Sequence, residues 1–155
     1  MELGDHRPLD EVVQELRAGF ERLTSLFPET FHPALVPPWN RISPSVQGVA
    51  KPIGLRGLST FGAAPAEEPY QVNTHLDIFA WRPERRPLSR AEAYAVLNAV
   101  IERRLTGGDE PIGILTHHLV HEEASWDLLD ELLGTIAKHP AVRWPSVGEL
   151  FGAII

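Results

Sequence analysis

The sequence contains no cysteine, which excludes disulfides, thiol nucleophiles and cysteine-ligated zinc together. It lacks any run approaching the roughly 18 apolar residues of a membrane span. Its opening, Met1-Glu2-Leu3-Gly4-Asp5, has neither the basic start nor the apolar stretch of a secretory signal. Cytoplasmic location, without a membrane partner, is therefore expected. Positive charge is also scarce: 14 Lys and Arg stand against 21 Asp and Glu, for a net charge of −7. With no basic run to concentrate charge, a nucleic-acid partner is not expected. There is no internal repeat and no low-complexity tract. What is abundant is turn chemistry, since 12 glycines and 14 prolines exceed the usual combined share of about 12%. Hydrophobic residues at 43% and charged residues at 23% match an ordinary globular mix. The length of 155 residues predicts one domain, 1-155.

Helical periodicity appears in four places. Val12, Leu16, Phe20, Leu23 and Phe27 form one apolar stripe, with Asp10 and Glu11 at its positive end and Pro28 as its stop. Ser89-Arg90-Ala91-Glu92 has capping-box spacing and leads into Tyr94, Leu97, Ile101 and Leu105. Trp126, Leu129, Leu133 and Ile136 define a third helix. Ser146 to Glu149 opens a short fourth. Between them, Ala34 to Val36, Leu55 to Phe61, Gln71 to Ile78, Ile112 to Thr116 and, more weakly, Ala141 to Trp144 read as strands. Runs apolar throughout, such as Ile112 to Leu115, suit strands covered on both faces, as in a parallel sheet under helices. The predicted class is α/β, with about four to five strands and flanking helices.

Three polar clusters fall at predicted strand ends. Pro37-Pro38-Trp39-Asn40-Arg41 follows the first strand, His75-Leu76-Asp77 with Trp81 closes the third, and His117-His118 with His121 closes the fourth. Loops at the carboxyl ends of parallel strands form the active-site rim in such folds. Each cluster also has a purely architectural reading. The Pro-Pro-Trp run suits a rigid turn with a packed indole. His75 and Asp77 share a strand face and suit a structural hydrogen-bonding pair; equally, a carboxylate beside an imidazole equips it as a general acid. His75, His118 and His121 are weak metal candidates, the last two because helical spacing would bring such residues together.

In order, Leu-Val-Pro-Pro-Trp-Asn-Arg from Leu35, Asn-Thr-His-Leu-Asp from Asn73 with Trp81, and Ile-Gly-Ile-Leu-Thr-His-His from Ile112 resemble the last three motifs of the polysaccharide deacetylase family. The resemblance runs from about Pro28 to Phe151. It implies a partial (β/α) barrel, metal-dependent hydrolysis of N-acetyl groups on an acetylated carbohydrate, and zinc or another divalent metal as cofactor. It assigns His117 as the general acid and Asp77 as the carboxylate that orients it. It places Trp39, Asn40, Arg41, His75 and Trp81 toward the substrate.

The family's Asp-Asp pair and its His-x-x-x-His pair, which supply the general base and the metal ligands, have no counterpart before Pro37. The motif arginine is replaced by Val36, with Arg41 on the far side of the turn. The expectation is a truncated or inactive form that resembles the C-terminal half of such a barrel. Its open strand edges would be covered by a homodimer or by the Val12 to Phe27 helix. The alternatives are a carbohydrate-binding or partner-completed module without catalysis, and a small hydrolase with a new histidine metal site.

Overall fold

Helices carry most of the regular backbone in the computed structural model, which describes residues 2–67, 70–107 and 109–152. The chain gathers into two units: one joins the stretch up to Asn73 to the stretch from Pro145, and the other runs from Thr74 to Trp144. No Pro- or Gly-rich linker announces this division, because the boundary falls inside the alternating run Gln71 to Ile78 that reads as one strand.

In the first unit, helix α1 (Leu9–Leu26) starts after Pro8 with Asp10 and Glu11 in its first turn, where carboxylates favour the helix dipole. Val12 is fully buried against Leu3 and Val46, and Leu16 packs beside them. Phe20 packs on Ala50, Ile53 and Leu55. Leu23 and Phe27 are 41% and 51% exposed, so the predicted stripe packs only over its first three residues. Helix α2 (Pro44–Ala50) is capped by the Ser43 hydroxyl, which accepts from the Val46 N–H at 3.4 Å, with proline in the first turn. At seven residues it is too short to show periodicity, although Ser43-Pro44 is a sound start signal. Strands β1 (Ala34–Leu35) and β2 (Gly57–Leu58) pair in parallel, Ala34 opposite Gly57. Gly57 is required there: a Cβ would stand 2.9 Å from that of Ala34 and would meet the ring of Phe151. Phe151 ends the final helix (Val147–Phe151), which has the expected Ser146–Glu149 capping box.

In the second unit, β3 (Leu76–Asp77) pairs in parallel with a later strand, Ile114–Leu115, while β4 (Phe79–Ala80) and β5 (Arg86–Pro87) form an antiparallel hairpin. With β6 assigned to Ile114–Leu115, the remaining elements are α3 (Arg90–Leu105) and α4 (Glu123–Ile136). Leu76 and Ile78 pack against Ala93 and Leu97 of α3 and against Leu128, Leu129 and Leu132 of α4. Each such leucine contributes about 1.5–3 kcal/mol by leaving water. The buried face of α4 is therefore rotated from the predicted stripe. Trp126 is 57% exposed, and the small Ser125 lies inside instead. On α3, Leu105 is 80% exposed.

The described residues form three two-stranded sheets and no closed barrel. Four of the five expected strands are present as two-residue ladders, two parallel pairs in all; residues 141–144 form none. Prolines at 33, 37 and 111 flank these ladders and supply no N–H to lengthen them. No described helix is long and apolar enough to cross a membrane.

Candidate active site

β3 supplies the key carboxylate. Leu76 and Ile78 point into the core, so alternation turns the side chain of Asp77 the other way. Asp77 Oδ1 accepts the Phe79 N–H at 2.9 Å, which closes a tight turn into β4. The same oxygen lies 3.0 Å from His117 Nε2, and Oδ2 accepts the Trp81 indole N–H at 3.1 Å. Leu115 of β6 lies opposite Asp77, so a residue two positions further on reaches the carboxylate. That residue is His117. The Trp81 ring stands edge-on to the His117 ring at 4.8 Å and 90°, and lies 4.8 Å from the Phe79 ring. Asp77 and His117 keep 21% and 24% of their side-chain surface, so the pair is sheltered but open.

This geometry sets the chemistry. Nε2–H donates to Asp77, which leaves Nδ1 as the ring nitrogen outside the pair. A carboxylate that accepts a backbone N–H and an indole N–H is held in one orientation and fixes the ring.

His75 has a different environment. Its side chain is 3% exposed, and Nε2 lies 3.1 Å from Glu110 Oε2. Nδ1 accepts the Gly113 N–H at 3.2 Å, while the His75 N–H donates to the Gly113 carbonyl at 2.7 Å. Both ring nitrogens are engaged, so the residue braces β3 against β6 and presents nothing to a substrate or a metal. His118 is exposed in a short turn covering His118–Val120. The His121 ring stands edge-on to Trp126 at 4.5 Å, with both nitrogens enclosed and unpartnered. Among the described residues no three His, Asp or Glu side chains converge on a possible metal. The histidines present thus do not fit a three-ligand centre.

Trp39, Asn40 and Arg41 belong to the first unit. Trp39 (φ 58°) and Asn40 (φ 54°) both take left-handed backbone, a costly state for tryptophan, and Trp39 is 71% exposed. Asn40 and Arg41 line an open cleft of about 380 Å³ with Gln47, Thr60 and Gln71. Gln71 donates to the Thr60 hydroxyl at 3.0 Å, and Asn73 accepts the Thr60 N–H at 2.8 Å.

Sequence reasoning missed Glu110, whose only signal was its place before the Pro111 strand entry. It also missed the arginines of the β4–β5 hairpin. There Arg86 makes a bidentate pair with Glu92 at 2.8 Å and 2.8 Å and meets Glu84 at 3.1 Å. The Arg86 guanidinium, followed by the Ser89 hydroxyl, holds the Glu92 carboxyl well below the usual carboxylate range.

No family model, curated protein or solved structure matches the chain.

Proposed function

We propose that this chain carries the proton-delivery half of a carbohydrate deacetylase of the polysaccharide deacetylase type. The observation that supports it is the Asp77–His117 hydrogen bond, 3.0 Å long, with Trp81 donating to the same carboxylate at 3.1 Å. In this reading the protonated His117 gives its Nδ1 proton to the amine as the amide C–N bond breaks. Asp77 holds the ring and balances the imidazolium charge. The residues do not assemble the metal centre of that family, so no step is drawn through one. The chain alone is expected to release no acetate from N-acetylglucosamine oligomers in the presence of zinc or cobalt. Chelator-sensitive release would overturn that expectation. In any form of the protein that turns over, His117→Ala should lower the rate at least about 10²-fold and His118→Ala far less. Equal losses would remove the assignment.

A second reading, a carbohydrate-binding module without catalysis, is favoured by Trp39, 71% exposed on left-handed backbone, beside an open polar cleft. Calorimetry with the same oligomers separates the two. Saturable binding abolished by Trp39→Ala, and indifferent to His117→Ala, supports the module. Self-association through the short strand edges belongs to either reading and is checked by sedimentation.

A further inference from the structure

We propose that Arg85, assisted by Arg82, makes this site selective for an acidic sugar, one that carries a carboxylate, sulfate or phosphate group. The proposal rests on the reading of Asp77 and His117 given above.

The loop between β4 and β5 holds Arg82 and Arg85, and Arg86 opens β5. Arg86 is occupied by Glu92 and Glu84. Arg82 and Arg85 are both exposed and have no carboxylate partner among the described residues, in a chain where acids outnumber bases by 21 to 14. Arg85 adopts φ 45°, a left-handed conformation that persists only where surrounding structure enforces it. Its guanidinium stands 5.7 Å from the centre of the Trp81 ring. Trp81 is the residue that bonds Asp77 and abuts His117, so Arg85 is parked one ring away from the acid.

The local charge balance gives the selectivity. Asp77 already receives the Phe79 N–H, the Trp81 N–H and the His117 ring, so its negative charge is directed inward. Glu84 is itself 69% exposed but is paired with Arg86, so Arg82 and Arg85 are the cations of this loop without a carboxylate partner among the described residues. Cation–π contact holds a guanidinium without neutralising it, and its planar fork matches a carboxylate, sulfate or phosphate in bidentate fashion. A neutral sugar gains nothing from this arrangement.

The test uses the whole chain, with the Trp81 indole N–H followed by NMR at constant ionic strength. That resonance is identified by its loss in Trp81→Phe. Glucuronate, glucose 6-phosphate, glucose 6-sulfate, inorganic sulfate and glucose serve as probes. The three acidic sugars should shift the resonance saturably and bind at least about tenfold more tightly than glucose, the scale of one charge-assisted contact. Arg85→Ala should remove that advantage without altering the response to glucose. Arg85→Lys should retain part of it, and Arg82→Ala should weaken it less. Inorganic sulfate shifting the resonance as strongly as the acidic sugars would overturn the sugar part of the proposal. Equal binding of glucuronate and glucose, absence of any saturable shift, or an unchanged Arg85→Ala titration would overturn all of it. The readout needs no turnover. Acidic-sugar binding that persists, alongside equal rate losses for His117→Ala and His118→Ala in a form that turns over, would retain this site while removing the hydrolytic reading.

Discussion

Two histidine–carboxylate pairs flank the β3–β6 ladder, and they differ in almost everything except their lengths of 3.1 Å and 3.0 Å. His75 is buried, with Nε2 on Glu110 and Nδ1 taking the Gly113 N–H. His117 keeps 24% of its side-chain surface and has one nitrogen on Asp77. An imidazole whose two nitrogens are both engaged inside a protein is a brace. One with a single engaged nitrogen at the surface can exchange a proton. Identical chemistry thus acquires its role from burial and from the second nitrogen.

The sharpest way to break this comparison is to remove each ring. His75→Ala removes the ring that Glu110 and the Gly113 N–H engage in a sheltered place and should cost about 2–4 kcal/mol. His117→Ala should cost less than about 1 kcal/mol, because Asp77 keeps two other donors. Urea midpoints of the two variants measure the difference, and equal losses would erase the distinction. Next, Trp81→Phe removes one donor from Asp77 and should cost about 1 kcal/mol. It should also loosen the His117 ring, visible as a broadened or shifted His117 ring resonance. Diethyl pyrocarbonate followed by peptide mapping should label His117 in the native protein and spare His75. Labelling of both at one rate would contradict the brace.

The smallest effect concerns Glu92, well away from either histidine in role. Its carboxyl sits below its ordinary value of 4.5, held there by Arg86 and then by Ser89. A depressed carboxylate stabilises the fold above the ordinary value and loses that contribution as pH falls toward the folded-state value. The thermal midpoint of wild type should therefore exceed that of Glu92→Gln near neutral pH. The gap should close on acidification below about 4.5. A gap that widens in acid would reverse the sign of this account.

Much of this was legible in the sequence where one residue type dictates one geometry. Ser89 to Glu92 and Ser146 to Glu149 form the capping boxes their spacing demands. The carboxylate at 77 and the histidine at 117 lie within hydrogen-bond distance, a pairing that the motif resemblance implied and alternation alone did not. Where several arrangements satisfy one pattern, the reading failed. Leu128 and Leu132 share a helix with Trp126 and Leu133, and only packing against Leu76 decides which face turns inward. His75 looked equivalent to Asp77 because both share a strand face; what separates them is Glu110, 35 residues away, and no local signal carries that. The division at Asn73 falls inside an unbroken alternating run, so neither composition nor turns could mark it.

A ladder of two residue pairs is too short to act as a stiff beam. From Gly113 to His117 the chain spans about 13 Å if extended, tethered at one end by the His75 ring and at the other by Asp77. Slack at the first tether has little sheet in between to absorb it. The buried brace therefore sets the alignment of the exposed His117 ring. In His75→Ala molecules that still fold, the Asp77–His117 bond should open more often, seen as faster exchange of the His117 ring proton with solvent.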